Sequence, residues 1–178
     1  MNTITVKICG ITNREDGVAA AGLGADYLGF IFAPSPRRVS AALARRIISQ
    51  LEGKVSIVGV FLNQEINEVT NTAAEVGLDY IQLHGTESPA YCSRLQRPVI
   101  KRIDVSGLNG SAEIEEKMSQ YKVAHILLDP GARASATFEW RLAAPITRPF
   151  ILAGGLTPAN VTEALRESGT RFIDLCSG

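Results

Sequence analysis

Short apolar runs rich in β-branched residues recur about every 20–30 residues along this chain, and nearly every gap between them carries a helical pattern. The runs are ITVKIC (4–9), DYLGFIF (26–32), SIVGVFL (56–62), DYIQLH (79–84), RPVIKRI (97–103), AHILLD (124–129), RPFILAG (148–154) and RFIDLC (171–176). Helices are expected over 14–23, capped by Asn13 and ended by Gly24, and from Ser40 to about residue 51. Others are expected over 65–76 with Gly77 as the stop, near 88–95, near 111–120, briefly around Trp140, and from Pro158, whose fixed φ suits a first turn. Strands alternating with helices build parallel sheets. Eight near-regular units, with no long excursion to change sheet face, predict a closed (β/α)8 barrel of the TIM type. A flat doubly wound sheet is the competing architecture. No linker composition interrupts the pattern, so residues 1–178 are expected to form a single (β/α) barrel domain.

No helical pattern follows the eighth run, so the barrel is expected to lack its last helix. Strands in such barrels are apolar on both faces. The outer face of the eighth strand is therefore expected to be uncovered and to offer a surface for homo-oligomer formation.

Charge narrows the partners. Eighteen lysines and arginines balance eighteen aspartates and glutamates, which gives no overall field for nucleic acid or an acidic membrane. The N-terminus lacks the basic-then-apolar pattern of a secretory signal, and no apolar run approaches the roughly 18 residues of a membrane span. Three widely spaced cysteines (Cys9, Cys92, Cys176) form neither a metal-ligand spacing nor a complete disulfide framework. A reducing cytoplasm is the expected setting.

In a (β/α) barrel the chemistry sits at the C-terminal ends of the strands and on the loops that follow. That rule selects Cys9 at the end of the first strand, Arg37 and Arg38 after the second, His84 at the end of the fourth and Asp129 at the end of the sixth. It also selects Gly154 and Gly155 after the seventh and Ser177 and Gly178 after the eighth.

Several of these residues fall in KICGIT (7–12), GFIFAPSPRRV (29–39), VGVF (58–61), IQLHG (81–85), LLDPGA (127–132), TFEW (137–140) and LAGGLTPANV (152–161). Together, and in this order, these segments resemble the phosphoribosylanthranilate isomerase family of tryptophan biosynthesis. The resemblance implies a (β/α)8 barrel that opens N-(5′-phosphoribosyl)anthranilate into an aminoketose by an Amadori rearrangement, without cofactor or metal. It implies Asp129 as the acid that protonates the furanose oxygen and Cys9 as the base that removes the C2′ proton. The carboxyl must carry a proton for part of the cycle, and the thiol must ionise.

Arg37 is similar to the family's arginine for the anthranilate carboxylate, a planar fork suited to that group; Arg38 reads as its surface neighbour. Backbone N–H groups around Gly154, Gly155, Ser177 and Gly178 are expected to hold the phosphate. His84 reads as a hydrogen-bonded, substrate-facing group rather than a catalyst, Cys92 as helix packing, and Asn160 as a cap.

Two regions depart from the resemblance: the loop after LLDPGA, and the end, where the family continues past SG into a final helix. Arg133-Ala134-Ser135-Ala136 stands where a glycine-rich stretch is expected and Glu139 where aspartate is expected, while Cys176 replaces a small polar residue. The stiffer loop leaves as an alternative a repurposed barrel acting on another amino-sugar phosphate, and the expected lack of a last helix leaves an inactive one serving as a binding or assembly protein.

Overall fold

Strands β1 (Thr5–Cys9), β2 (Tyr27–Ile31), β3 (Ser56–Phe61), β4 (Tyr80–Leu83), β5 (Val99–Asp104), β6 (His125–Asp129), β7 (Phe150–Leu152) and β8 (Phe172–Leu175) run parallel and close into a barrel in sequence order. The computed structural model describes residues 3–51, 55–131 and 139–176. Pairing of β1 with β8 rules out the flat sheet, because an open sheet leaves its outer strands unpaired. The strands alternate with α1 (Arg14–Gly22), α2 (Ala41–Ile48), α3 (Ile66–Val76), α4 (Pro89–Ser93), α5 (Ser111–Ser119) and α6 (Val161–Ser168), plus a 3-10 turn over Trp140–Ala143. The segment 133–136 and the pair Ser177-Gly178 lie outside the described residues.

Local chemistry sets most helix boundaries where the sequence puts them. Asn13, Ser40 and Ser88 each accept a backbone N–H at a helix start, which satisfies a donor the helix itself leaves free. Gly77 ends α3 at φ 77°, a left-handed conformation that costs glycine little. The expected helix start at Pro158 is a correction: α6 begins at Val161. Asn160 causes the delay. Its Oδ1 accepts the Thr157 N–H at 2.7 Å and its Nδ2 donates to the Gly155 carbonyl at 2.9 Å, which holds residues 155–160 as a folded turn.

Alternation along the strands divides the core. Outward residues such as Leu28, Phe30, Ile57 and Phe61 pack under the helices. Inward residues fill the barrel in layers, as parallel barrels require. The lowest layer takes one ring from each even strand: Tyr27, Tyr80, His125 and Phe172, with neighbouring centroids 5.0–5.8 Å apart. Above it lie Val58, Ile100, Leu127, Ile151 and Ala153.

Amid these apolar layers Lys7 of β1 is fully buried, and its Nζ donates to both oxygens of Asp174 on β8 at 2.8 Å. Burial works against the ammonium, but the Asp174 carboxylate and the Cys9 thiol together outweigh it and hold the lysine above its ordinary range. On Asp174 burial is the larger influence and pushes the carboxyl up despite the lysine. With Nζ touching both oxygens, the pair is assigned as charged.

The outer face of β8 also differs from expectation. Ile173 is buried among Leu152, Ala164 and their neighbours, and Leu175 is partly buried against the same cluster. The open apolar ground lies instead beside β1. There a hollow of about 520 Å³ separates Val6 and Ile8 from Ala19, Ala20 and Leu23.

Breaking the internal ion pair is expected to be far costlier than replacing it. Lys7→Met leaves a buried carboxylate without its partner and should lower stability by about 3–5 kcal/mol. Lys7→Met combined with Asp174→Leu should recover most of that loss, as read from urea unfolding midpoints.

Candidate active site

The C-terminal rim of the barrel carries a cavity of about 400 Å³. Cys9, Arg37, His84, Asp129, Gly154 and Gly155 all line it, although they come from five different βα units. A thiol from the first strand and a carboxyl from the sixth therefore face one space. Val60, Gln82, Asp174 and Cys176 are also in its wall.

Cys9 is 7% exposed, and Gly29 on β2 makes room for it. A Cβ at Gly29 would stand 2.6 Å from the Cys9 sulfur. The neighbouring Cys176 thiol, together with burial, pushes the Cys9 pKa well up, while the Lys7 ammonium pulls the other way. Cys176 moves oppositely: the Cys9 thiol beside it, aided by Arg37, lowers it to about 7.

Asp129 ends β6 and is held from several sides. Its Oδ1 accepts the Gly131 N–H at 2.8 Å. Its Oδ2 stands 3.4 Å from His84 Nε2 and 3.4 Å from Arg102 Nε. Arg102 also donates through Nη2 to the Asp129 carbonyl at 3.1 Å. Gly154, at φ 90°, closes the far side. A Cβ there would meet Pro130 Cδ at 2.6 Å and Asp129 Oδ1 at 2.9 Å, so this approach requires glycine.

Burial lowers the His84 pKa to about 4, more than the Asp129 carboxylate raises it, so the imidazole is neutral at neutral pH. Gln82 Nε2 lies 3.4 Å from His84 Nδ1. With the amide so oriented, Nδ1 accepts and the ring proton sits on Nε2, facing Asp129. The loop after His84 is locked by Lys101, whose Nζ donates to the Gly85 carbonyl at 2.6 Å and to Glu87 at 2.8 Å. Glu87 in turn accepts the Asn63 N–H.

Arg37 lies on the loop after β2, with its guanidinium folded over Gly10 and Nη1 donating to the Cys176 carbonyl. Gly155 (φ 63°) and Gly154 present the backbone of the seventh loop to the cavity. Of the expected site residues, Ser177 and Gly178 fall outside the described residues, as noted above. Among the described residues no three His, Cys, Asp or Glu side chains converge as a metal site, and no helix is long and apolar enough to cross a membrane.

Reading the sequence missed Arg102, Gln82 and the Lys7–Asp174 pair. Alternation in VIKRID offered a signal for Arg102, since it shares a face with Ile100 and stands near the strand's C-terminal end. Nothing local marks Lys7 and Asp174 as partners, because they are 167 residues apart.

This geometry agrees with comparison to known proteins. A sequence profile described as N-(5'phosphoribosyl)anthranilate (PRA) isomerase matches residues 6–178. The N-(5'-phosphoribosyl)anthranilate isomerase of Citrifermentans bemidjiense is 43% identical over 97% of this chain and 86% of its own length. That of Neisseria meningitidis is 39% identical over the whole of this chain and 88% of its own.

Among solved structures, the phosphoribosyl anthranilate isomerase of Thermotoga maritima superposes with a TM-score of 0.90 at 37% identity, covering 99% of this chain and 89% of that one. A further structure, of such an isomerase in complex with reduced 1-(o-carboxyphenylamino)-1-deoxyribulose 5-phosphate, gives a TM-score of 0.86 at 37% identity over 99% and 88%. The family profile, the closed barrel and near-complete matches at about this identity lead to one assignment: the chain belongs to the phosphoribosylanthranilate isomerase family of tryptophan biosynthesis.

Proposed function

We propose that Asp129 and Cys9 are the acid and base with which this isomerase converts N-(5′-phosphoribosyl)anthranilate to 1-(2-carboxyphenylamino)-1-deoxyribulose 5-phosphate. The observation that carries the assignment is their shared cavity at the barrel rim. Asp129 gives a proton to the furanose oxygen, and the ring opens to a Schiff base. Cys9 thiolate then takes the C2′ proton, and the enol so formed rearranges to the ketone. No proton is gained or lost overall, so the two side chains return to their starting states through solvent or through each other.

The remaining residues hold the substrate. Arg37 turns its fork from the Cys176 carbonyl to the anthranilate carboxylate, a charge-assisted contact stronger than the one it leaves. Gly154 and Gly155, joined by Ser177 and Gly178, offer backbone N–H groups to the phosphate. Neutral His84 donates from Nε2 to Asp129 and orients its carboxyl. The work is done in the cytoplasm, where the three free thiols stay reduced.

Cys9→Ser and Asp129→Asn should each reduce turnover of N-(5′-phosphoribosyl)anthranilate by about 10²–10⁴-fold. Near-normal rates in either variant, or turnover only of a different aminoaldose phosphate by the parent protein, would remove the assignment. Arg37→Ala should act mainly on kcat/KM, by about 10–200-fold for the loss of roughly 1.5–3 kcal/mol from a charged hydrogen bond. An unchanged kcat/KM would place the carboxylate elsewhere.

His84 supplies a pH signature. Its folded pKa of about 4 lies below the unfolded value of 6.5, so the unfolded chain takes up the proton first as pH falls. The stability tied to neutral His84 is present above pH 6.5 and is lost as pH falls through that value toward 4. Unfolding midpoints of His84→Gln should therefore decline less steeply than those of the parent across this window.

A further inference from the structure

Two cysteines meet where the barrel closes. The β1–β8 register pairs Lys7 with Asp174 and Ile8 with Leu175, so the next step brings Cys9 level with Cys176. Alternation turns both toward the same side as Lys7 and Asp174, whose side chains touch. Neighbouring strands run about 4.7–4.9 Å apart. That spacing falls within the Cα separation of about 4.4–6.8 Å that a disulfide spans. Both residues line the rim cavity, Cys9 buried and Cys176 exposed, and Cys92 is not part of that lining.

We propose that Cys176 is a peroxide-sensing modification site, and that its oxidation ties up Cys9 in a Cys9–Cys176 disulfide that switches the isomerase off. The switching rests on the role proposed for Cys9; formation of the bond does not. Cys176 thiolate attacks one oxygen of hydrogen peroxide, the O–O bond breaks, and a sulfenic acid and hydroxide result. The Cys9 sulfur then attacks the sulfenic sulfur, the S–O bond breaks, and the departing oxygen leaves as water with the Cys9 proton. Two thiols and one peroxide thus become one disulfide and two waters. A dithiol reductant reverses the step by exchange.

Exposure and charge assign the order of attack. Cys176 is the thiol open to solvent, and Arg37 stands beside it. Its pKa of about 7 gives a large thiolate fraction at neutral pH without great loss of nucleophilicity. Cys9, buried and protonated, is placed to resolve the sulfenic acid rather than to form it. A bond between adjacent strands on an exposed rim belongs to the labile class that cellular reductants reopen.

The test is peroxide titration of the purified chain, followed by intact mass, peptide mapping and isomerase assay before and after dithiothreitol. The expected result is a mass loss of two hydrogens, a linked pair of peptides carrying Cys9 and Cys176, and a loss of turnover in step with the linkage that dithiothreitol restores. Cys176→Ser, scaled to its own unoxidised rate, should lose both the linkage and the reversible inhibition, while Cys92→Ser should keep both. Oxidation of Cys9 to sulfinic acid with no linkage in the parent protein would overturn the proposal. So would linkage through Cys92, or reversible inhibition that survives in Cys176→Ser. A disulfide that forms in a protein without isomerase activity would sink the proposed function and leave the thiol pair standing.

Discussion

The barrel exists because its first strand meets its last, and the Lys7–Asp174 ion pair joins their side chains inside that seam. The seam is where a barrel is most exposed to failure, since the β1–β8 pairing joins residues more than 160 apart and is entropically the costliest to close. The other strand pairs join elements adjacent in sequence. Placing opposite charges at one register position of the seam makes every slipped alignment costly, because a shift of one residue would bury each charge alone. On the far side of β8, β7 contributes a single paired position, which leaves β8 dependent on β1.

The same pair sets the electrostatics of the rim. Lys7 lies two residues below Cys9 on the same strand face, and Asp174 lies two below Cys176. The ammonium favours the Cys9 thiolate, while the carboxylate and the neighbouring thiol oppose it. Across the cavity Arg102 and His84 converge on one oxygen of Asp129. The thiol and the carboxyl thus each have a cation close by, Lys7 for Cys9 and Arg102 for Asp129.

Much of this was legible from local patterns. Eight apolar runs marked eight strands, and Asn13, Ser40 and Gly77 marked helix ends, because caps and left-handed stops depend on a few neighbouring residues. Pro158 misled for the same reason: its φ suits a helix start, but Asn160 binds back to residue 155 and delays the first turn. The rim rule brought out Cys9, Arg37, His84, Asp129 and the glycine pair, since strand ends can be read without knowing which strands touch. Lys7–Asp174, Arg102 against Asp129 and Cys9 beside Cys176 needed barrel closure and register, which no local window contains. The expected open face of β8 failed similarly, because Ile173 is covered by residues of the preceding βα unit.

The position of Cys9 sharpens what its proposed role demands. A base with raised proton affinity is ionised in a smaller fraction of molecules but takes a proton more readily when it is. The Cys176 thiol and burial push Cys9 toward that regime, and Lys7 limits how far it goes. The C2′ proton of a Schiff base is acidified by the adjacent cationic carbon, so the reaction needs a modest base held close rather than a strong one in solution. Close placement is what the seam supplies. Gly29 leaves space for the sulfur, β1 fixes its height, and Asp129 lines the same cavity.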